Sequence, residues 1–179
     1  SKYRREEKRR IHINHGRMSL DTIASPNNTA FPLSMGQQGM WLLHQRYPND
    51  NLYVINFVWY LPEDTHITVL QRAVEALSHR HPALRTTFHE DHGIATQHVH
   101  PHLLPLFRWT VFCQQNKPFI LLLNIHHLVF DGWSAATLLQ NELGMLYIAE
   151  REGRSADLAP IHKHYGDFVY EQTRWLKTA

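Results

Sequence analysis

The residues with the clearest capacity for chemistry lie in one stretch, "NIHHLVFDGWS", Asn124 to Ser134. Two adjacent imidazoles, His126 and His127, close an apolar run, and Asp131-Gly132 follows as a turn signal. Side chains alternate across a strand, so His126 and His127 point to opposite faces. Metal ligands must converge on one point, so the pair is a poor metal site. Two readings stand on the pair alone. In one, both are core imidazoles satisfied by backbone bonds. In the other, one faces a cavity and the second packs behind it. A neutral imidazole on a rigid strand end can take a proton from an incoming amine or alcohol. Asp131 then pairs with that histidine, as in a triad, or with an arginine that fixes the turn. Gly132 lets a backbone N–H approach a ligand closely. No G-x-S-x-G motif is present, which favours direct transfer between two bound substrates over a covalent acyl-enzyme.

Strands and helices must place these groups. "PFILLLNIHH", Pro118 to His127, is an unbroken apolar run that suits a strand covered on both faces. After Asp131-Gly132, "SAATLLQNELGMLYIAERE" predicts a helix with Ser134 as N-cap and Gly153 just beyond its end. Upstream, a short helix follows Ser34, with Met40, Leu43 and Tyr47 at helical spacing and Pro48 ending it. "NLYVINFVWYL" reads as a strand, and "HITVLQRAVEALSHRH" as an amphipathic helix with Leu70, Ala73, Val74 and Leu77 on one face. "ALRTTFHED", "ATQHVH" and "LFRWTVF" are further strands, with His92-Gly93 as a turn, and "YGDFVYEQTRWL" is a last helix. The mixture is α/β.

The chain has 179 residues, 43% hydrophobic and 19% charged, which fits a globular domain or one large lobe of a bigger one. The formal charge of +2 is concentrated in the basic run Lys2 to Arg10. The rest is slightly acidic, which argues against a general nucleic-acid surface. Residues 1–30 read as a basic leader ending in the linker-like "SPNNTA", a solvated arm or a connector to a neighbouring domain. No apolar stretch has the length of a membrane span. Cys113, the single cysteine, cannot form an internal disulfide. It fits a buried thiol in a reducing, cytoplasmic compartment.

Family resemblance narrows the readings. "HHLVFDGWS" resembles the HHxxxDG motif of condensation domains from non-ribosomal peptide synthetases. A bare HxxxD is shared by many acyltransferases of the chloramphenicol-acetyltransferase-like superfamily, but three more motifs occur in family order. "PLSMGQQGMWLL" resembles the first, with Gly36 where Ala is usual and Gly39 where Arg is usual. "RHPALRTTF" matches the second and "YGDFVYEQTRW" the fourth, with Tyr165, Asp167 and Phe168 in register. Epimerization domains usually continue differently after Asp-Gly, and heterocyclization domains carry aspartates in place of the histidines.

The resemblance implies a chloramphenicol-acetyltransferase-like lobe, a mixed sheet flanked by helices and one half of a two-lobe V. It implies that His127 is the active-site histidine, facing a channel where an acceptor amine meets a donor thioester. It implies that His126 packs behind the site and that Asp131 is structural, paired with Arg85 of the second motif. Trp133 and Ser134 would anchor and cap the next helix, and Trp41 and Phe168 would be core residues. No cofactor is expected to bind directly; 4'-phosphopantetheine would arrive on donor and acceptor carrier proteins. Motifs of the second lobe have no counterpart, so residues 31–179 read as the N-terminal lobe, without its C-terminal lobe and neighbouring synthetase domains. Self-association through an apolar face left by that lobe is a further expectation. Three functions compete: an amide-forming lobe, another HxxxD acyltransferase using a coenzyme A thioester or an alcohol, and a non-catalytic module that docks carrier proteins or recruits a partner.

Overall fold

The computed structural model describes residues 8–12, 29–48, 50–101 and 106–178, with backbone alone at 8–12, 29, 133 and 136. Four strands form one sheet: β1 (Lys8–His12), β3 (Val54–Tyr60), β6 (Phe107–Gln114) and β7 (Lys117–His126), in the order β1-β6-β7-β3. Three more, β2 (Thr29–Pro32), β4 (Thr86–Asp91) and β5 (Ile94–Val99), form a second sheet in the order β2-β5-β4. Every pairing among the described strands is antiparallel. The helices are α1 (Met35–Arg46), α2 (Ile67–Arg80), α3 (Gly132–Ser134), α4 (Leu143–Glu152) and α5 (Tyr165–Leu176). A π-helical segment, Ala135–Glu142, joins α3 to α4.

Turn chemistry sets the hairpins. His92 and Gly93 between β4 and β5, and Gln115 and Asn116 between β6 and β7, all have positive φ. Paired left-handed residues are what two-residue hairpins need, because their twist matches the strands. The first turn was legible as His-Gly; the second lacks a glycine and is carried by Asn116, a residue that tolerates this region.

The main core lies between the four-stranded sheet and the helix pair α2–α4. Leu121, Leu123 and Ile125 of β7 point inward with Phe107, Trp109, Val111 and Cys113 of β6. They meet Leu70, Ala73, Val74 and Leu77 of α2, the stripe expected from the sequence. Burial raises the pKa of the Cys113 thiol, as expected of a structural cysteine. The other face of β7 is only half covered, contrary to the expectation of a strand buried on both sides. Beside it on β3, Val58 and Tyr60 are 57% and 78% exposed.

Three local expectations are corrected. Lys8–His12, placed in the leader, pairs with β6 from Lys8 opposite Gln114 to His12 opposite Thr110. The rest of residues 1–28 lies outside the described residues. In α1 the buried positions are Gln37 and Trp41, whereas Leu43 and Tyr47 are about half exposed. Trp41 is a core residue, but Phe168 is 48% exposed on α5.

Candidate active site

Strand β7 ends at His126, and the chain then turns. The two histidines diverge at this point. His126 is buried, with its ring edge-on to His44 and tilted against Tyr53. Its Nδ1 accepts a hydrogen bond from the Leu128 N–H at 3.1 Å, so the neutral ring carries its proton on Nε2. Burial, reinforced by His44 and His127, lowers its pKa from 6.5 to about 4. His126 is therefore uncharged at neutral pH. His127 has an exposed side chain and lines a cavity of about 670 Å³. Its own N–H donates to the Tyr53 carbonyl at 2.7 Å.

The tight turn after His127 is stitched by its own backbone. Val129 N–H donates to the His126 carbonyl at 3.1 Å and Phe130 N–H to the His127 carbonyl at 3.4 Å. Leu128 and Phe130 are buried, which anchors the turn between the two apolar clusters.

Asp131 and Arg85 do not meet, a correction to the pairing implied by the motifs. Asp131 is the N-cap of α3: its Oδ1 accepts from the Ser134 N–H at 2.8 Å. Burial pushes the Asp131 carboxyl up, but the Ser134 hydrogen bonds outweigh it and the net shift is downward. The capping role expected of Ser134 therefore falls to Asp131, three residues earlier. The physical reason is position: the helix already begins at Gly132, Asp131 has the extended backbone of an N-cap, and Ser134 is itself helical. The side chain of Trp133 lies outside the described residues. Arg85 spends its guanidinium on backbone carbonyls instead. Its Nε donates to Ser78 O at 2.8 Å, Nη1 donates to His100 O, and Nη2 reaches His79 O at 3.4 Å. A five-donor fork suits three carbonyls converging from a helix end and a strand end. Arg85 thus ties the end of α2 to the end of β5. Gly132 opens α3 without a positive φ, and a Cβ there would meet nothing within 4 Å. It is not among the residues that line the cavity.

The cavity brings the four motifs together. The first motif gives it Ser34 and Gln37, the second His81 and Thr86, the third His127 and Asp131, and the fourth Tyr165 and Asp167. Ser34 caps α1, and its Oγ lies 2.8 Å from the Tyr165 hydroxyl. At another wall, the His81 ring sits 2.6 Å from Glu142, which also accepts from Arg80 at 2.9 Å. Burial pushes the Glu142 carboxyl up; the His81 and Arg80 hydrogen bonds outweigh it and hold it below the usual range. Burial lowers His81 in spite of Glu142. Among the described residues no group of three or more His, Cys, Asp or Glu could hold a metal ion. No described helix is long and apolar enough to cross a membrane.

Sequence reasoning passed over Gln97, Glu142, His44 and Tyr53. Gln97 carried a faint signal: it is a polar residue in the middle of a short strand, and it is 1% exposed. The other three become neighbours of the site only through tertiary contacts.

At this strand end one imidazole, His126, is sequestered and uncharged, and the next, His127, is presented to a cavity. The sequence matches the Condensation domain family over residues 27–104 and 103–179. This chain belongs to the condensation domain family. It is similar to a linear gramicidin synthase of Brevibacillus parabrevis, 30% identical over 189 residues, covering 85% of this chain and 2% of that protein. It is also 29% identical to phosphinothricin tripeptide synthetase PhsC of Streptomyces viridochromogenes, covering 81% of this chain and 17% of that protein. Among solved structures, the first condensation domain of the calcium-dependent antibiotic synthetase superposes with a TM-score of 0.72 at 20% identity, covering 84% of this chain and 44% of that one. The X-domain from teicoplanin biosynthesis, in its complex with OxyB, gives a TM-score of 0.74 at 22% identity, covering 91% and 42%. The chain therefore spans less than half of the solved chains it matches. The α/β, chloramphenicol-acetyltransferase-like fold expected from the motifs is observed, with the described strands pairing antiparallel in two sheets rather than in one mixed sheet.

Proposed function

We propose that this chain is the histidine-bearing lobe of a condensation domain that forms an amide bond. The acceptor is the amine of a carrier-bound aminoacyl group, and the donor is a carrier-bound acyl or peptidyl thioester. Both would arrive on 4'-phosphopantetheine arms of partner carrier proteins. The amine nitrogen attacks the thioester carbonyl, a C–N bond forms, the C–S bond breaks and the thiol leaves. His127 takes the proton released by the amine or holds that amine in line for attack. The observation that carries this reading is the contrast at the strand end: His127 opens to the cavity while His126 is buried and uncharged behind it. General-base assistance contributes roughly 10²–10⁴-fold, and alignment of two tethered substrates contributes at least as much.

A second reading is a partner-binding module, since the X-domain that is solved in complex with OxyB shares this fold. The presentation of His127 favours the catalytic reading. Donor and acceptor carriers loaded through phosphopantetheine, mixed with the chain together with a C-terminal condensation-domain lobe, test it by intact-protein mass spectrometry. Condensed product that disappears with His127→Ala supports amide formation. Equal product from both proteins, or carrier binding without product, overturns it.

A further inference from the structure

We infer that Gln37, braced by Gln97, is a positioning residue that fixes the turn presenting His127. The inference rests on the reading of His127 as the group that meets the acceptor amine. The first motif is otherwise a stretch with no assigned task. Its glutamine is 2% exposed, and its partner on β5 is 1% exposed. Buried amides are held in place only when their donors and acceptors are all used. Gln37 uses all of them. Its Oε1 accepts from the Ser34 N–H at 2.9 Å and from Gln97 Nε2 at 2.9 Å. Its Nε2 donates to Gln97 Oε1 at 3.1 Å and to the Leu128 carbonyl at 2.9 Å. Gln97 Nε2 also donates to the Pro32 carbonyl at 2.8 Å.

Leu128 directly follows His127, and this residue is gripped from two sides. Its N–H is held by His126 Nδ1 and its carbonyl by Gln37 Nε2. With the His127 N–H tied to Tyr53, the backbone on both sides of the imidazole is fixed. The side chain itself stays open to the cavity. The amide pair therefore couples the start of α1, strand β5 and the His127 turn into one rigid unit. An imidazole displaced by about 1 Å loses on the order of 10²-fold in a reaction that depends on alignment.

The test uses Gln37→Met, which keeps the volume and removes both the donor and the acceptor, beside Gln97→Met, which leaves the Gln37–Leu128 bond but removes its brace. Native-state hydrogen exchange is read at the Val129 and Phe130 amides and, for reference, at Val111 and Leu123 in the sheet. Exchange in the turn should rise roughly tenfold in Gln37→Met, and less in Gln97→Met, with the sheet amides unchanged. In the carrier assay, kcat should fall with KM for the carriers unchanged. The drop should be absent when Gln37→Met is added to His127→Ala, because the two act as a unit. Equal acceleration across turn and sheet, or none in the turn, overturns the positioning role. This exchange readout needs no product, so it stands or falls separately from amide formation. If Gln37→Met fails to fold, the same pattern in Gln97→Met decides the matter.

Discussion

The two sheets of this lobe are held by different physics. The four-stranded sheet packs chiefly as an apolar object: β6 and β7 press seven inward side chains onto α2 and α4. The three-stranded sheet adds directed polar bonds to a smaller apolar cluster around Leu33, Trp41, Phe88, Leu106 and Leu128. Gln97 pairs with Gln37, Thr87 Oγ1 lies 2.7 Å from the His100 ring, and Arg85 ties β5 to α2. Apolar packing is tolerant of small shifts and resists unfolding. Hydrogen-bonded networks fix angles and positions. His127 lies at the junction, at the end of a strand from the first sheet and against a wall built from the second. Stability and geometry at this site thus come from different halves of the molecule.

Substitutions can separate the two contributions. The largest expected effect is on chemistry: His127→Ala should lower condensation by about 10²–10⁴-fold while the thermal midpoint stays within a degree or two. A matching fall in the midpoint would break the separation. Next, Leu123→Ala in the apolar sheet should cost about 2–5 kcal/mol in urea unfolding, because the cavity it leaves is enclosed on all sides. A smaller effect follows from His126. Its folded value near 4 lies below the ordinary 6.5, so the unfolded chain binds the proton more readily. The contribution is full above about pH 6.5 and drains away as pH falls toward 4, on the order of 3 kcal/mol. Unfolding free energies measured from pH 7 to pH 4 should show this slope, and His126→Asn should flatten it while leaving an acceptor near the Leu128 N–H. The smallest effect is at the cap: Asp131→Ala should cost about 1 kcal/mol, and Asp131→Asn much less, because an amide oxygen still accepts from Ser134. If Asp131→Asn is as damaging as Asp131→Ala, the carboxylate has a role beyond capping.

Strands of both sheets were legible in the sequence, β3, β6 and β7 as apolar runs and β4 and β5 around the His92-Gly93 turn, whereas β1 and the polar bonds of the second sheet were not. Leu70, Ala73, Val74 and Leu77 announce α2 by their spacing, and the unbroken apolar run Pro118 to His127 announces β7 without showing which of its faces is inward. The division of His126 and His127 between two sides follows from the alternation of side chains along a strand. Polar positioning has no such period. Arg85 and Asp131 were matched by charge and motif, yet each found a closer partner in backbone groups that no pattern reveals. Gln37 stood in a recognisable motif, but only the tertiary fold shows that its amide reaches Leu128. Leu43 and Tyr47 misled because apolar type outweighed position: on α1 the inward face is chosen by what Gln37 and Trp41 can bond to, with the Trp41 indole N–H donating to Glu90 at 2.9 Å.

The π-helical segment Ala135–Glu142 has a consequence for tolerance to sequence length. Its winding, seen in the bond from the Leu143 N–H to the Leu138 carbonyl, packs more residues into each turn than an ordinary helix. The segment therefore stores slack between the His127 turn and α4. Removing one residue from an ordinary helix would rotate everything after it by about 100° and tear Leu143 and Leu146 from the core. Here the spare winding can absorb the loss, so single-residue deletions between 137 and 140 should be accepted where the same deletion in α2 is not.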